Sequence, residues 1–153
     1  MLQQILSMSV DPTASFPDFT YVRPDLEVKE TAFRAVLAEL ESAATVNDAI
    51  AAVEQIDSIR AGVATVYNIC YVRYSIDTRD EFYKEEKAWF DQHMPATEAW
   101  RMDYYRTLIS SAHREELEAK FGSQLFNTAE LSIKTFQPEL IADLQAENKG
   151  FSE

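Results

Sequence analysis

Glycine and proline are scarce along most of this chain, and their scarcity constrains the fold more than any other feature. The 153 residues include three glycines and five prolines, and Pro12, Pro17 and Pro24 fall within the first 24 positions. Glycine and proline are the residues that interrupt helices most strongly, so long segments without them favour long helices. The sequence therefore predicts an irregular N-terminal arm over residues 1–24 and a helical domain over residues 25–153.

Apolar residues recur at helical spacing through the predicted domain. The first helix is predicted from near Asp25 to near Ala44, with a buried stripe formed by Phe33, Val36, Leu37 and Leu40. A longer second helix is predicted from a spacing near 3.5 over about 25 residues, carried by Ala49, Val53, Ile56, Val63, Val66, Tyr67, Cys70 and Tyr74. We predict an all-α fold, an elongated antiparallel bundle of about five to six helices.

Local signals mark where the predicted helices start and stop. The segments Thr45 to Asp48 and Thr78 to Glu81 each have the form of a capping box. Gly122 is expected to end the helix in HREELEAKF, and SQLFNTAELSIKTF follows as another helix. A last helix is predicted to start at Pro138 and to stop before Gly150.

Two helix-breaking residues fall inside predicted helices. Pro95 lies within a third helical pattern that runs from about Arg79 to Ile109, and it should kink or break that helix. Gly62 lies inside the second helix, where glycine is about 1 kcal/mol less favourable than alanine. Either a closely approaching neighbour helix or a tolerated surface position would explain Gly62.

Charge and composition exclude several classes of partner. The formal net charge of −12 repels nucleic acid and anionic lipid, so neither is predicted as a partner. The single cysteine, Cys70, has no partner for an internal disulfide. The sequence has no stretch of about 20 continuous apolar residues that could span a membrane. Its N-terminus is a poor match to a signal peptide, so we predict a cytoplasmic protein.

Residue patterns typical of catalytic sites are missing from the sequence. The HExxH zinc signature is absent, and neither His93 nor His113 has a second histidine four residues away or a glutamate three residues before it. Cys70 lies on the apolar seam of the second helix, where an inert buried thiol is typical. We predict no catalytic and no metal-ligating residue. Acidic runs that include Glu85 and Glu86 are interpreted as solvated helix faces.

The stretch YVRYSIDTRDEFY, residues 71–83, is predicted to be a helix corner. Arg73 and Asp77 are four residues apart and are expected to pair across one turn, unless Arg73 holds a carboxylate in a cavity. Thr78 is predicted to cap the next helix, with Glu81 reaching back to it. Aromatic residues of the long helices are interpreted first as core and second as a wall that contacts a peptide. The candidates for that wall are Tyr74, Trp100 and Tyr104.

Three segments of the chain resemble the oligoendopeptidase F type of zinc metallopeptidases, relatives of thimet oligopeptidase. They are FTYVRPDLE (19–27), YSIDTRDEFYKEEKAWFD (74–91) and LEAKFGSQLFNTAELSIKTFQPELIADLQAENK (117–149). The resemblance implies a noncatalytic N-terminal helical domain that forms part of the wall of a substrate channel. It also implies a larger zinc-dependent peptidase that cleaves short peptides, with the zinc in a part not present here. The chain alone is expected to be inactive, and its partners would be the remainder of the polypeptide and short peptides.

Two other interpretations remain open at the level of sequence. The chain could be a stand-alone helical module for protein interaction or dimerisation, because helices cut from a larger protein expose apolar patches that associate. It could also be an enzyme that uses carboxylates for metal binding or acid/base chemistry, which requires several acids to converge in one buried pocket.

Overall fold

The computed structural model describes residues 18–136, and these residues form two compact units. One unit contains residues 18–36 and 53–97, and the other contains residues 37–52 and 98–136. Five helices and no strand occur in the described part of the chain, which confirms the all-α prediction. The helices are α1 (Leu26–Glu41), α2 (Val46–Ile76), α3 (Glu81–Ser110), α4 (Arg114–Phe121) and α5 (Ser123–Thr135).

Short-range capping interactions set the first two helix starts. The Asp25 carboxylate accepts a hydrogen bond from the backbone N–H of Val28 at 3.1 Å, and α1 begins one residue after Asp25. The hydroxyl of Thr45 accepts from the N–H of Asp48 at 3.2 Å and donates to the Asp48 carboxylate at 2.7 Å. The predicted cap by Thr45 is therefore confirmed, whereas the Asp48 carboxylate bonds to the Thr45 hydroxyl and not to its backbone N–H.

The predicted apolar stripes form the core. In α1 the residues Phe33, Val36, Leu37 and Leu40 are all buried, and in α2 the seam from Ala49 to Cys70 is buried at each predicted aliphatic position. In the first unit, Val66, Cys70 and Phe90 form a cluster against which Phe19 and Tyr21 pack. Segment 18–25, which precedes α1, therefore contributes aromatic side chains to this core.

The two helix-breaking residues lie inside unbroken helices. Helix α3 continues through Pro95, so the predicted break does not occur; the missing N–H of one proline removes only one bond of a 30-residue helix. A Cβ placed on Gly62 meets no atom within 4 Å, so of the two explanations for this glycine the tolerated position holds and the close approach of a neighbouring helix of the described chain does not.

Gly122 separates α4 from α5 in the way the sequence predicts. Its φ of 90° lies in the left-handed region, and its N–H donates to the Glu118 carbonyl at 2.9 Å. The predicted helix from Pro138 and most of the N-terminal arm lie outside the described residues. No helix within residues 18–136 combines the length and apolar character needed to cross a bilayer.

Candidate functional site

The corner between α2 and α3 is formed by residues 77–80, and Asp80 caps the second helix. The Asp80 Oδ1 accepts hydrogen bonds from the N–H of Phe82 at 3.0 Å and of Tyr83 at 3.3 Å. The prediction that Thr78 caps this helix is wrong, because α3 begins at Glu81 and Asp80 occupies the position directly before it. Glu81 pairs with Lys84 at 3.2 Å instead of reaching back.

Arg73 extends from α2 toward the N-terminal segment. Its Nη1 donates to the Tyr83 hydroxyl and its Nη2 donates to the Phe19 carbonyl, both at 2.6 Å. The predicted Arg73–Asp77 pair is wrong, because Asp77 lies beyond the end of α2 and pairs with Arg79, whose Nε is 3.0 Å from Oδ1. The side-chain hydrogen bond from Arg79 holds the pKa of Asp77 below its usual value.

Glu86 of α3 is the most deeply buried charged group among the described residues, with 4% of its surface exposed. Its Oε2 accepts hydrogen bonds from the Tyr21 hydroxyl at 2.6 Å and from the Arg23 Nε at 2.9 Å. Its Oε1 accepts from Nε at 3.2 Å and from Nη2 of the same guanidinium. We name Tyr21, Arg23 and Glu86 the Glu86 clasp, because they fasten segment 18–25 to α3.

The electrostatics of the clasp keep Glu86 ionised and Tyr21 protonated. The hydrogen bonds from Arg23 lower the pKa of Glu86, burial opposes them, and the Tyr21 hydroxyl lowers it further. Burial, followed by the bond to Glu86, raises the pKa of Tyr21 above its usual value. The Arg23 guanidinium also lies 5.0 Å from the centre of the Trp89 ring. Such a satisfied carboxylate is suited to holding a segment in place rather than to accepting a proton near neutral pH.

The interpretation of Glu86 as part of a solvated face is wrong, because this side chain is buried in the clasp. The spacing of residues in α3 does indicate that Glu86 is buried. Tyr83, Glu86 and Phe90 are spaced by three and four residues, which places the glutamate on the apolar stripe of α3. A carboxylate on such a stripe needs a cationic or hydrogen-bonding partner.

A second polar and aromatic group lies on the surface of the same unit. The Lys87 Nζ is 2.5 Å from Oδ2 of Asp91, and it lies 4.9 Å from the ring centre of Tyr71 and 5.8 Å from that of Tyr74. The Tyr71 hydroxyl donates to Asp91 Oδ1. Burial, followed by this bond, raises the pKa of Tyr71. We name Tyr71, Tyr74, Lys87 and Asp91 the tyrosine surface.

The three candidates for a peptide-contacting wall are in different environments. Tyr74 is half-buried and belongs to the tyrosine surface. Trp100 and Tyr104 are 4% and 0% exposed in the second unit, so their rings are part of the core and present no wall. The prediction for those two residues is wrong because their 3.6-residue periodicity directs both of them inward. Tyr74 is the candidate that the structure leaves available.

The histidines and the cysteine have structural surroundings. The Cys70 thiol is buried, and burial raises its pKa. The Nδ1 of His93 donates to the Trp89 carbonyl at 2.7 Å, and the Nε2 of His113 donates to the Ala43 carbonyl at 3.2 Å. Among residues 18–136, no three side chains of the His, Cys, Asp and Glu types converge in a way that could hold a metal ion.

Comparison with known families accounts for most of the chain. Residues 16–136 match the family described as the Peptidase M3 N-terminal domain. The chain belongs to this family. This confirms the resemblance to oligoendopeptidases carried by the segments around FTYVRPDLE and YSIDTRDEFYKEEKAWFD. The Glu86 clasp joins these two segments, because Tyr21 and Arg23 come from the first and Glu86 from the second.

Solved structures similar to this Peptidase M3 N-terminal domain have peptidase names. A Bacillus anthracis str. Ames protein with the assigned name oligoendopeptidase F is 43% identical with a TM-score of 0.78, and the match covers 88% of this chain and 25% of that protein. PZ peptidase A, solved with an inhibitor, is 41% identical with a TM-score of 0.78, and the match covers 88% of this chain and 24% of the PZ peptidase A chain. The chain therefore spans about a quarter of the length of these relatives. The comparison with curated protein sequences finds no match.

Proposed function

We propose that this chain is the noncatalytic N-terminal helical domain of a zinc-dependent oligoendopeptidase that hydrolyses short peptides. The observation that carries the proposal is the identity of 41–43% to two peptidase-type chains of which it matches about a quarter. The sequence has no HExxH motif, so the zinc and its ligands would come from the remainder of the polypeptide. When bound there, zinc would polarise a water molecule for attack on a peptide carbonyl.

We propose that the domain contributes to the wall of the substrate channel through the tyrosine surface. Tyr71 and Tyr74 present partly exposed rings there. Lys87 lies against both rings, and its charge is balanced by Asp91. Aromatic rings beside a compensated ion pair can contact peptides of varied sequence without requiring one charge. Tyr74 is the residue expected to contact substrate, while the Glu86 clasp holds α3 and segment 18–25 together.

The proposed location is the cytoplasm, which agrees with a sequence whose single cysteine has no partner for an internal disulfide. The alternative function, a stand-alone module for interaction or dimerisation, has one observation in its favour. Val72 and Ile76 are exposed apolar residues at the end of α2. The identity to larger peptidases favours the domain over the module.

A chimera tests the proposed function. The N-terminal quarter of the Bacillus anthracis oligoendopeptidase F would be replaced by this chain and assayed with zinc and a quenched fluorescent peptide. We expect the chimera to cleave the peptide, and the relative without its N-terminal quarter to lack this activity. A chimera that folds, judged by a cooperative thermal transition, but shows no cleavage while the intact relative is active would contradict the proposal.

A further inference from the structure

The second half of α2 has an exposed face without charged residues. Between Arg60 and Arg73 the sequence AGVATVYNICYV contains no Asp, Glu, Lys, Arg or His, although 26% of the whole chain is charged. Five exposed residues follow one another at spacings of three and four, namely Ala61, Ala64, Asn68, Val72 and Ile76. Val72 is 47% exposed and Ile76 is 72% exposed. We name these five residues the outer stripe.

The outer stripe lies away from the core of its unit. Successive helical residues are rotated by about 100°, so Val72 lies roughly 160° around α2 from the buried Cys70. A solvated helix face normally carries charged residues, whereas a helix that is apolar on opposite faces is covered on both of them in the complete protein. The outer stripe has no charged residue, as is typical of a helix face that another element covers, yet its side chains are exposed in this structure.

We propose that the outer stripe docks a helix from the part of the peptidase polypeptide that lies beyond this domain. This inference rests on the proposed function. The relatives indicate where such a helix would come from, because about three-quarters of each of their chains lies outside the matched region. The distance from Ala61 to Ile76 along the axis is about 22 Å, which suits a partner helix of about four turns.

Charge disfavours a second copy as the occupant. Each chain has a formal net charge of −12, so two copies repel each other, and the stripe offers no cation that would offset this repulsion. Tyr74, the residue proposed to contact substrate, lies on another side of α2. It is two residues from both Val72 and Ile76, which places it roughly 160° around the helix from each. A helix that packs on Val72 and Ile76 therefore leaves Tyr74 uncovered.

Thiol labelling at Ile76 tests the docking directly. The variant Ile76→Cys would be made in this chain alone and in the chimera described above, and its alkylation rate would be followed by mass spectrometry of the peptide. Native Cys70 is buried and serves as an internal reference. Glu54→Cys, at an exposed charged position of the same helix, is the matched control. We expect labelling of Cys at position 76 to slow by at least about tenfold in the chimera, and the control to label equally in both.

The possible outcomes distinguish failure of the docking proposal from failure of the proposed function. Equal labelling of the position 76 variant in the isolated chain and in an active chimera overturns the docking proposal and leaves the proposed function standing. An inactive but folded chimera overturns both. Protection in the isolated chain that increases with its concentration assigns the stripe to a second copy and overturns the docking proposal. As a second measurement, Val72→Lys with Ile76→Lys should leave the Tm of the isolated chain unchanged and lower that of the chimera.

Discussion

Arg23 and Glu86 are separated by 63 positions in the sequence and form a salt bridge at a largely buried carboxylate. The Arg23 Nε lies 2.9 Å from Oε2, and Nη2 donates to Oε1 of the same carboxylate. The Tyr21 hydroxyl adds a third donor group. This relationship fixes segment 18–25, which precedes α1, against α3.

Glu86→Gln should destabilise the chain. The amide keeps the shape of the side chain, but it weakens the charge-assisted hydrogen bonds from Arg23 and replaces one acceptor oxygen with an NH₂ group that cannot accept. We expect the free energy of unfolding to fall by roughly 1.5 to 3 kcal/mol in urea denaturation. Glu85→Gln, at the exposed neighbouring position, is the control and should change it little. Equal stability of the two variants would show that the clasp does not hold the fold.

The contribution of the clasp should also depend on pH. The pKa of Glu86 is lowered from its ordinary value of about 4.5, first by the hydrogen bonds from Arg23. A carboxylate with a lowered folded-state pKa stabilises the fold above the unfolded-state pKa, and this stabilisation is lost as the pH falls through the folded-state value. The stability difference between the native chain and Glu86→Gln should be constant near pH 7 and shrink below about pH 4.5. A difference that grows on acidification would contradict this assignment.

The cap of α3 gives a direct comparison of two neighbouring residues. Asp80→Ala removes the acceptor for the N–H groups of Phe82 and Tyr83 and should lower the free energy of unfolding by roughly 0.5 to 2 kcal/mol. Thr78→Ala alters an exposed turn residue and is the matched control. Thermal or urea unfolding of both variants measures the difference. A larger loss of unfolding free energy for Thr78→Ala than for Asp80→Ala would show that Thr78 is the cap.

Gly62→Ala should stabilise the isolated chain. Gly62 lies inside α2, and an added Cβ meets no atom within 4 Å. Alanine restricts the unfolded chain more than glycine does and favours the helix by roughly 0.5 to 1 kcal/mol. The midpoint of urea unfolding should therefore rise with no change in its slope. A lower midpoint would indicate a close neighbour at this position.

Local signals explain what the sequence could predict. The scarcity of glycine and proline, the three-and-four spacing of residues such as Phe33 and Leu40, and the box at Thr45 and Asp48 all act within one or two turns, so the helices and most of their ends follow from them. The Glu86 clasp depends on a contact across 63 positions, and no local pattern specifies which arginine reaches the glutamate. Thr78 and Asp80 are both good caps, and the backbone of the turn decides between them.

The central claim is that this chain is a peptidase domain without the catalytic groups. Its most direct test is a peptidase assay of the purified 153-residue chain with added zinc and a quenched fluorescent peptide. The account predicts no cleavage and no stoichiometric zinc binding by the chain alone, while the chimera that contains it cleaves the same peptide. Cleavage by the pure chain that is abolished by a chelator and restored by zinc would contradict it.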